Sequence, residues 1–194
     1  MTEYSDSKSE TLVFIWEIIK VVVISLAIIV PIRLFIVQPF FVRGASMEPN
    51  FLNGDYLIID EISYRFNEPK RGEVIVFRFP QDPKQFFIKR IIGLPGETIE
   101  LNRKSVIIRN ADNPSGFILD ESAYLSEPII LGTLRMKLDD NEYFVMGDNR
   151  LQSSDSRRWG PVNVSLIIGR SVLRAFPFSR FDIFGEVQYQ FTDI

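Results

Sequence analysis

The sequence predicts a mainly β domain: a coiled antiparallel sheet in a partly open, barrel-like body with an inserted β flap, preceded by one N-terminal transmembrane helix. Three observations carry this reading. There is one long apolar run near the N-terminus, the segments after Pro39 are short, β-rich and punctuated by Gly, Pro, Asn and Asp, and several of them are apolar on both faces.

In chain order, residues 1–11 form a polar tail carrying Glu3, Asp6 and Glu10. Residues 12–37 are almost wholly apolar, with Val21 to Ile32 free of charge, a length that crosses about 30 Å of hydrocarbon as a helix. Glu17 and Lys20 sit three apart and can pair near one end, and Arg33 can snorkel near the other. Pro31 is expected to loosen the last turns. A removable leader would be shorter, begin with basic residues and end at a small-x-small site. This run instead leads into Gln38-Pro39-Phe40-Phe41, so it is read as a retained anchor. The competing reading is a long helix buried in a soluble core, which so long an apolar span disfavours. Lys8 on one flank and Arg33 and Arg43 on the other leave the orientation open.

Residues 38–194 make the β-rich domain, with strands expected at 56–60, 73–79, 86–92, 97–101, 105–109, 142–146 and 167–176. Apolar residues on both faces mean covered strands, hence a coiled or closed sheet rather than an open one with a wet face. Residues 102–140 are more polar, with a turn at Asn113-Pro114-Ser115-Gly116, and read as the flap.

Composition removes whole classes of chemistry. With no cysteine and no histidine there is no disulfide framework, no thiolate nucleophile and none of the usual zinc, haem or iron-sulfur ligand sets. No metal or other cofactor is expected. The formal net charge of -3 gives no basic surplus that would draw nucleic acid.

A serine hydroxyl is a weak nucleophile that needs a neighbouring base, and without histidine the leading candidate is lysine. Ser46, in Gly44-Ala45-Ser46-Met47-Glu48-Pro49, follows the apolar run Phe40-Phe41-Val42 and sits where a strand gives way to a turn. Its backbone N–H can point at a developing oxyanion. Taken alone, such a serine is more often a turn or capping hydroxyl. Lys89 lies among Phe86, Phe87, Ile88, Ile91 and Ile92, surroundings that penalise an ammonium and pull its pKa well below about 10.4. Strand alternation equally allows Lys89 to face solvent, opposite Ile88 and Arg90. A third segment, from Gly147 through Asp148 and Ser153 to Asp155 and Arg157, is dense in donors and acceptors. Ser153 there can aim an amine, and Asp155 can pair with Arg157 or Arg90. A polar turn with surface ion pairs is the bland alternative.

Four motifs stand in order: Ser46-Met47-x-Pro49; Arg71-Gly72-Glu73-Val74-Ile75-Val76-Phe77; Lys89-Arg90-Ile91-Ile92-Gly93-Leu94-Pro95-Gly96-Glu97; and Gly147-Asp148-Asn149-Arg150-x-x-Ser153-x-Asp155-Ser156-Arg157. Together with the anchor they resemble the type I (bacterial leader) signal peptidases over nearly the whole chain, in the manner of the compact single-anchor members. The resemblance implies a membrane-bound serine endopeptidase with a Ser/Lys dyad. Ser46 would be the nucleophile, with its N–H an oxyanion donor, Lys89 the general base and later acid, and Ser153 the hydroxyl that orients the lysine. Arg90, Asp148, Asp155 and Arg157 would be structural supports. Many relatives carry a serine where this chain has Gly44, so the second oxyanion donor would fall to a water or the Gly44 backbone. Asn50-Phe51 replaces the more usual Thr-Leu.

The implied substrates are signal-peptide-bearing preproteins, bound as an extended strand with Phe40, Val42 and Ile88 lining shallow pockets that admit small-x-small sequences. Membrane lipid and a nearby secretion translocon complete the expected partners, and nucleic acid is not among them. Phe79-Pro80, Phe86-Phe87, Phe176-Pro177-Phe178 and Phe181 are either core or a patch that rests on lipid. The expected place is the bacterial plasma (inner) membrane, single-pass, with the catalytic domain on the extracytoplasmic side, or a thylakoid membrane. Two rivals stand beside this reading: a self-cleaving Ser/Lys protease of the LexA repressor type, and a catalytically silent membrane-anchored β domain used for binding or assembly.

Overall fold

The computed structural model of the chain describes residues 6–35, 37–102, 105–126, 132–187, 189 and 191–193. Residues 1–5 of the expected tail, 36 of the expected anchor, and 103–104 and 127–131 of the expected flap lie outside them. The chain divides between Gln38 and Pro39 into two compact units.

The first unit is dominated by helix α1 (Asp6–Phe35), 30 residues or about 45 Å long at 1.5 Å per residue. Leu12, Phe14, Ile15, Trp16, Ile18, Val22 and Ile24 are all exposed, so apolar side chains are found all round its circumference. Glu10–Ile29 is long and apolar enough to cross a membrane, and none of its most apolar stretch is buried. A soluble core helix would be covered; a helix apolar all round and uncovered suits hydrocarbon. The helix starts before the apolar run and continues through Pro31, so that proline does not end it. Lys20 Nζ meets Glu17 Oε1 at 2.6 Å, as their spacing predicts.

The strands are β1 (Val37–Phe41), which begins just before the division, and, in the second unit, β2 (Tyr56–Asp60), β3 (Val74–Phe79), β4 (Asp82–Gly93), β5 (Thr98–Leu101), β6 (Val106–Arg109), β7 (Phe117–Leu119), β8 (Leu134–Lys137), β9 (Glu142–Met146), β10 (Val162–Asn163), β11 (Ile167–Phe176), β12 (Asp182–Ile183) and β13 (Phe191–Asp193), with a short helix α2 (Ser156–Trp159) after β9. Eight of them form one sheet in the order β1-β2-β11-β3-β4-β9-β10, with β12 paired to β11. The other five form a second sheet, β13-β7-β6-β5-β8. It takes in β6, β7 and β8 from the span expected as the flap, together with β5 from before that span and β13 from near the C-terminal end.

The covered faces are seen best on β3. Val74 and Val76 point into a cluster with Val42, Met47, Phe51, Leu57 and Ile59. The alternate residues Ile75 and Phe77 join Ile91, Tyr143, Val145 and Val162. Antiparallel register sets Lys89 opposite Ile75 and Ile88 opposite Val76, so the lysine leaves the sheet on the Ile75 face while Ile88 packs with the first cluster.

Candidate active site

The serine turn is built by a tight return of the chain after β1. Val42 N donates to Asp55 O and Gly54 N to Val42 O, both at 2.9 Å. Gly44 takes φ +88°, a left-handed conformation that glycine adopts without steric cost. Met47 and Phe51 then bury almost completely, each burial contributing about 1.5–3 kcal/mol, and this pins the turn between them. Ser46, left half-buried on this anchored turn, has its carbonyl held by Asn149 N at 3.1 Å.

Lys89 reaches the same point from β4. Its Nζ donates to Ser46 Oγ at 2.8 Å and to Ile88 O at 2.7 Å, with the Phe87 ring centroid 5.4 Å away. The side chain is only 4% exposed. Burial pushes its pKa down to about 8, against the pull of Asp155 and Asp148 in the other direction. About a tenth of the amine is therefore neutral at pH 7, far more than in an ordinary lysine, and able to accept a proton.

Beneath the pair lies a floor of buried ions. Arg90, next to Lys89 but on the opposite face, donates through Nε and Nη2 to Asp148 at 2.8 and 2.7 Å and through Nη1 to Gly72 O. Asp155 accepts from Gly147 N at 3.0 Å and from Arg157 Nε and Nη2 at 2.7 and 2.8 Å. Burial raises the Asp155 pKa, but Arg157 and the Gly147 N–H outweigh it and hold the carboxyl below its usual range. At Gly147 itself a Cβ would collide with Ser153 Oγ and the Ser46 carbonyl, so the third segment can close on the serine turn only because a glycine stands there.

Ser153 is buried beside that contact, with its hydroxyl against the Asp155 carboxylate; the second acceptor of Lys89 is Ile88 O. The Gly44 N–H is taken by Asn53 Oδ1 at 3.0 Å, so it is not free to donate to an oxyanion. Sequence reading also missed Arg150, which is buried and paired with the equally buried Glu121, and Asn50, which donates to Asp148 and to Tyr124 O at 2.8 Å each. Arg150 stands inside the fourth motif; Glu121 lies in the flap, where no local pattern marks it.

A groove of about 710 Å³ runs past Ser46 and Lys89 between Pro39–Val42 and Gln85–Lys89. Phe40, Val42 and Ile88 all line it, with Gln152 and Ser154 at its side. The phenylalanines divide into two sets. Phe79 and Phe87 stack on each other at 4.5 Å and Phe79 packs on Trp159, whereas Phe41, Phe86, Phe176, Phe178 and Phe181 are exposed.

A family model described as signal peptidase, peptidase S26, matches residues 15–176. A probable signal peptidase I of Synechocystis sp. is 36% identical over 183 residues, covering 91% of this chain and 90% of that protein. A second one from the same organism is 38% identical over 170 residues, covering 84% and 74%. A thylakoidal processing peptidase from the chloroplasts of Arabidopsis thaliana is 29% identical over 158 residues, covering 76% and 44%. The matched span runs from within α1 to the end of β11, taking in both the apolar helix and the sheet that carries Lys89. On that ground the chain belongs to the signal peptidase I, peptidase S26 family, serine endopeptidases that remove signal peptides.

Proposed function

We propose that Ser46 and Lys89 form the catalytic dyad of a membrane-bound endopeptidase that cuts signal-peptide-bearing preproteins after a small-x-small site. The observation that carries this is the 2.8 Å contact between Lys89 Nζ and Ser46 Oγ, made by an amine shielded from solvent. Neutral Lys89 takes the Ser46 proton as Oγ attacks the scissile carbonyl, and the resulting ammonium protonates the leaving amine. Water, deprotonated in turn by Lys89, then hydrolyses the acyl-enzyme and restores the serine. The Ser46 N–H stabilises the oxyanion. An ammonium has three hydrogens, and Ser46 Oγ and Ile88 O take two. Ser153, buried against Gly147 with its hydroxyl on the Asp155 carboxylate, keeps lone pairs free to accept and is assigned as the third acceptor and so as the orienting hydroxyl.

The groove fits an extended peptide. Among the described residues β1 pairs only with β2, and β4 before Arg90 pairs only with β3, since β9 takes up β4 from Arg90 onward. Two free strand edges thus flank the groove, supplying backbone hydrogen bonds, and Phe40, Val42 and Ile88 restrict the pockets to small side chains. Arg90, Asp148, Asp155 and Arg157 keep the dyad in place. The exposed phenylalanines 41, 176, 178 and 181 rest on membrane lipid, with the anchor in the bacterial plasma membrane, the domain on its extracytoplasmic side and the secretion translocon nearby. The thylakoidal relative makes a thylakoid membrane the second reading.

The test is incubation of the detergent-solubilised full chain with a preprotein, followed by N-terminal sequencing of the product. One new N-terminus directly after a small-x-small site is expected. Cleavage of the chain itself alone would favour the self-cleaving rival, and no cleavage at all the silent one.

A further inference from the structure

We propose that Asn50 is a positioning residue that clamps the serine turn to the Asp148–Arg90 pair and thereby sets the proton balance of Lys89. This rests on the reading of Lys89 as the general base. Asn50 Nδ2 donates to Asp148 Oδ2 and to Tyr124 O, each at 2.8 Å. Both partners are pure acceptors when Asp148 is ionised, so only the two-hydrogen end of the amide fits between them. The backbone oxygen of the same residue accepts from Arg174 Nη2 at 2.8 Å, which holds the turn from a second side.

The contacts close a ring. Asp148 binds Arg90, the Arg90 guanidinium lies 4.1 Å from the Tyr124 ring centroid, and the Tyr124 carbonyl returns to Asn50. The serine turn, β4, the flap base and the fourth motif therefore meet at one amide. A threonine or serine here would bring a single hydroxyl proton and could satisfy one of the two acceptors at a time.

The electrostatic consequence follows from what surrounds the lysine. Ser46 and the Phe87 ring face Lys89 Nζ directly, and the carboxylates acting on it are Asp155 and Asp148. Asp155 is matched by Arg157, and Asp148 by Arg90 with Arg150 also acting on it. Arg150 is in turn paired with Glu121. Among the described residues, Asn50 is the neutral side-chain donor that reaches Asp148 from another segment and offsets its field. Removing that donor leaves the Asp148 charge less offset at Lys89, which then holds its proton to higher pH.

The test is the pH profile of kcat/KM for preprotein cleavage by the full chain in detergent, for wild type, Asn50→Leu and Asn50→Thr. Asn50→Leu should move the acid limb up by about half a pH unit, lowering the rate at pH 7 about threefold, while the plateau above about pH 9 stays within about twofold. Asn50→Thr should fall between, and stands in if the leucine variant does not fold. A lowered plateau with the limb unmoved means a merely structural role and overturns the inference, with Lys89 untouched as base. A wild-type profile with no limb near pH 8 instead removes the reading of Lys89, and this inference with it.

Discussion

Lys89→Met is expected to lower kcat/KM for preprotein cleavage by about 10³-fold or more while the β domain stays folded. Methionine fills the same volume among Phe87, Ile88 and their neighbours but cannot accept the Ser46 proton. Ser46→Ala should be as inactive, and the double variant no worse than either single one, because the two groups act as one unit. The same substitution should stabilise the fold at neutral pH. The wild-type native state holds an amine with a pKa of about 8, whereas the unfolded chain titrates near 10.4. Below pH 8 the folded protein bears a penalty of about 3 kcal/mol for keeping that ammonium buried. Between pH 8 and 10.4 the folded lysine is already neutral while the unfolded one still binds its proton, so wild-type stability recovers as pH rises. Urea unfolding of both proteins across this range should show the advantage of Lys89→Met shrinking to near zero. A difference independent of pH would contradict a buried, shifted amine.

Asp148→Ala should destabilise the domain by about 3–5 kcal/mol, the usual cost of stranding a buried charge. Arg90 is 6% exposed, and losing Asp148 leaves its Nε and Nη2 without the carboxylate they now share. Asn50 would lose one of its two acceptors at the same time. For a chain of this length the melting temperature should drop on the order of 10 °C. Asp148→Asn, which keeps an acceptor oxygen, should cost less. A loss under about 1 kcal/mol for Asp148→Ala would show that the pair is solvated and does not brace the floor.

Much of the architecture was legible because it rests on local pattern. The strands at 56–60, 142–146 and 167–176 match β2, β9 and β11 end for end, since each is a β-branched or aromatic run bounded by turn residues. β7, β8 and β13 escaped notice because they are three or four residues long, too short for alternation to show. Lys89 marks the limit more sharply. Period-two alternation allowed it to face solvent or core, and what decides is non-local: Ile75 opposite it on β3 and the serine turn above it. Glu121 had no signal at all, because a buried carboxylate is recognisable only once its arginine is found. The phenylalanines were ambiguous for the same reason: Phe79 and Phe87 are covered by Trp159 and each other, while Phe176 and Phe178 find no such lid.

The central claim is that the Lys89 amine is largely stripped of water and gives up its proton far more readily than an ordinary lysine. It is tested most directly by following the Lys89 side-chain nitrogen and ε-carbon by NMR through a pH titration of the isotopically labelled full chain, with Lys89→Met providing the assignment. A midpoint near pH 8 is predicted. A midpoint at 10.4 or above would contradict the account.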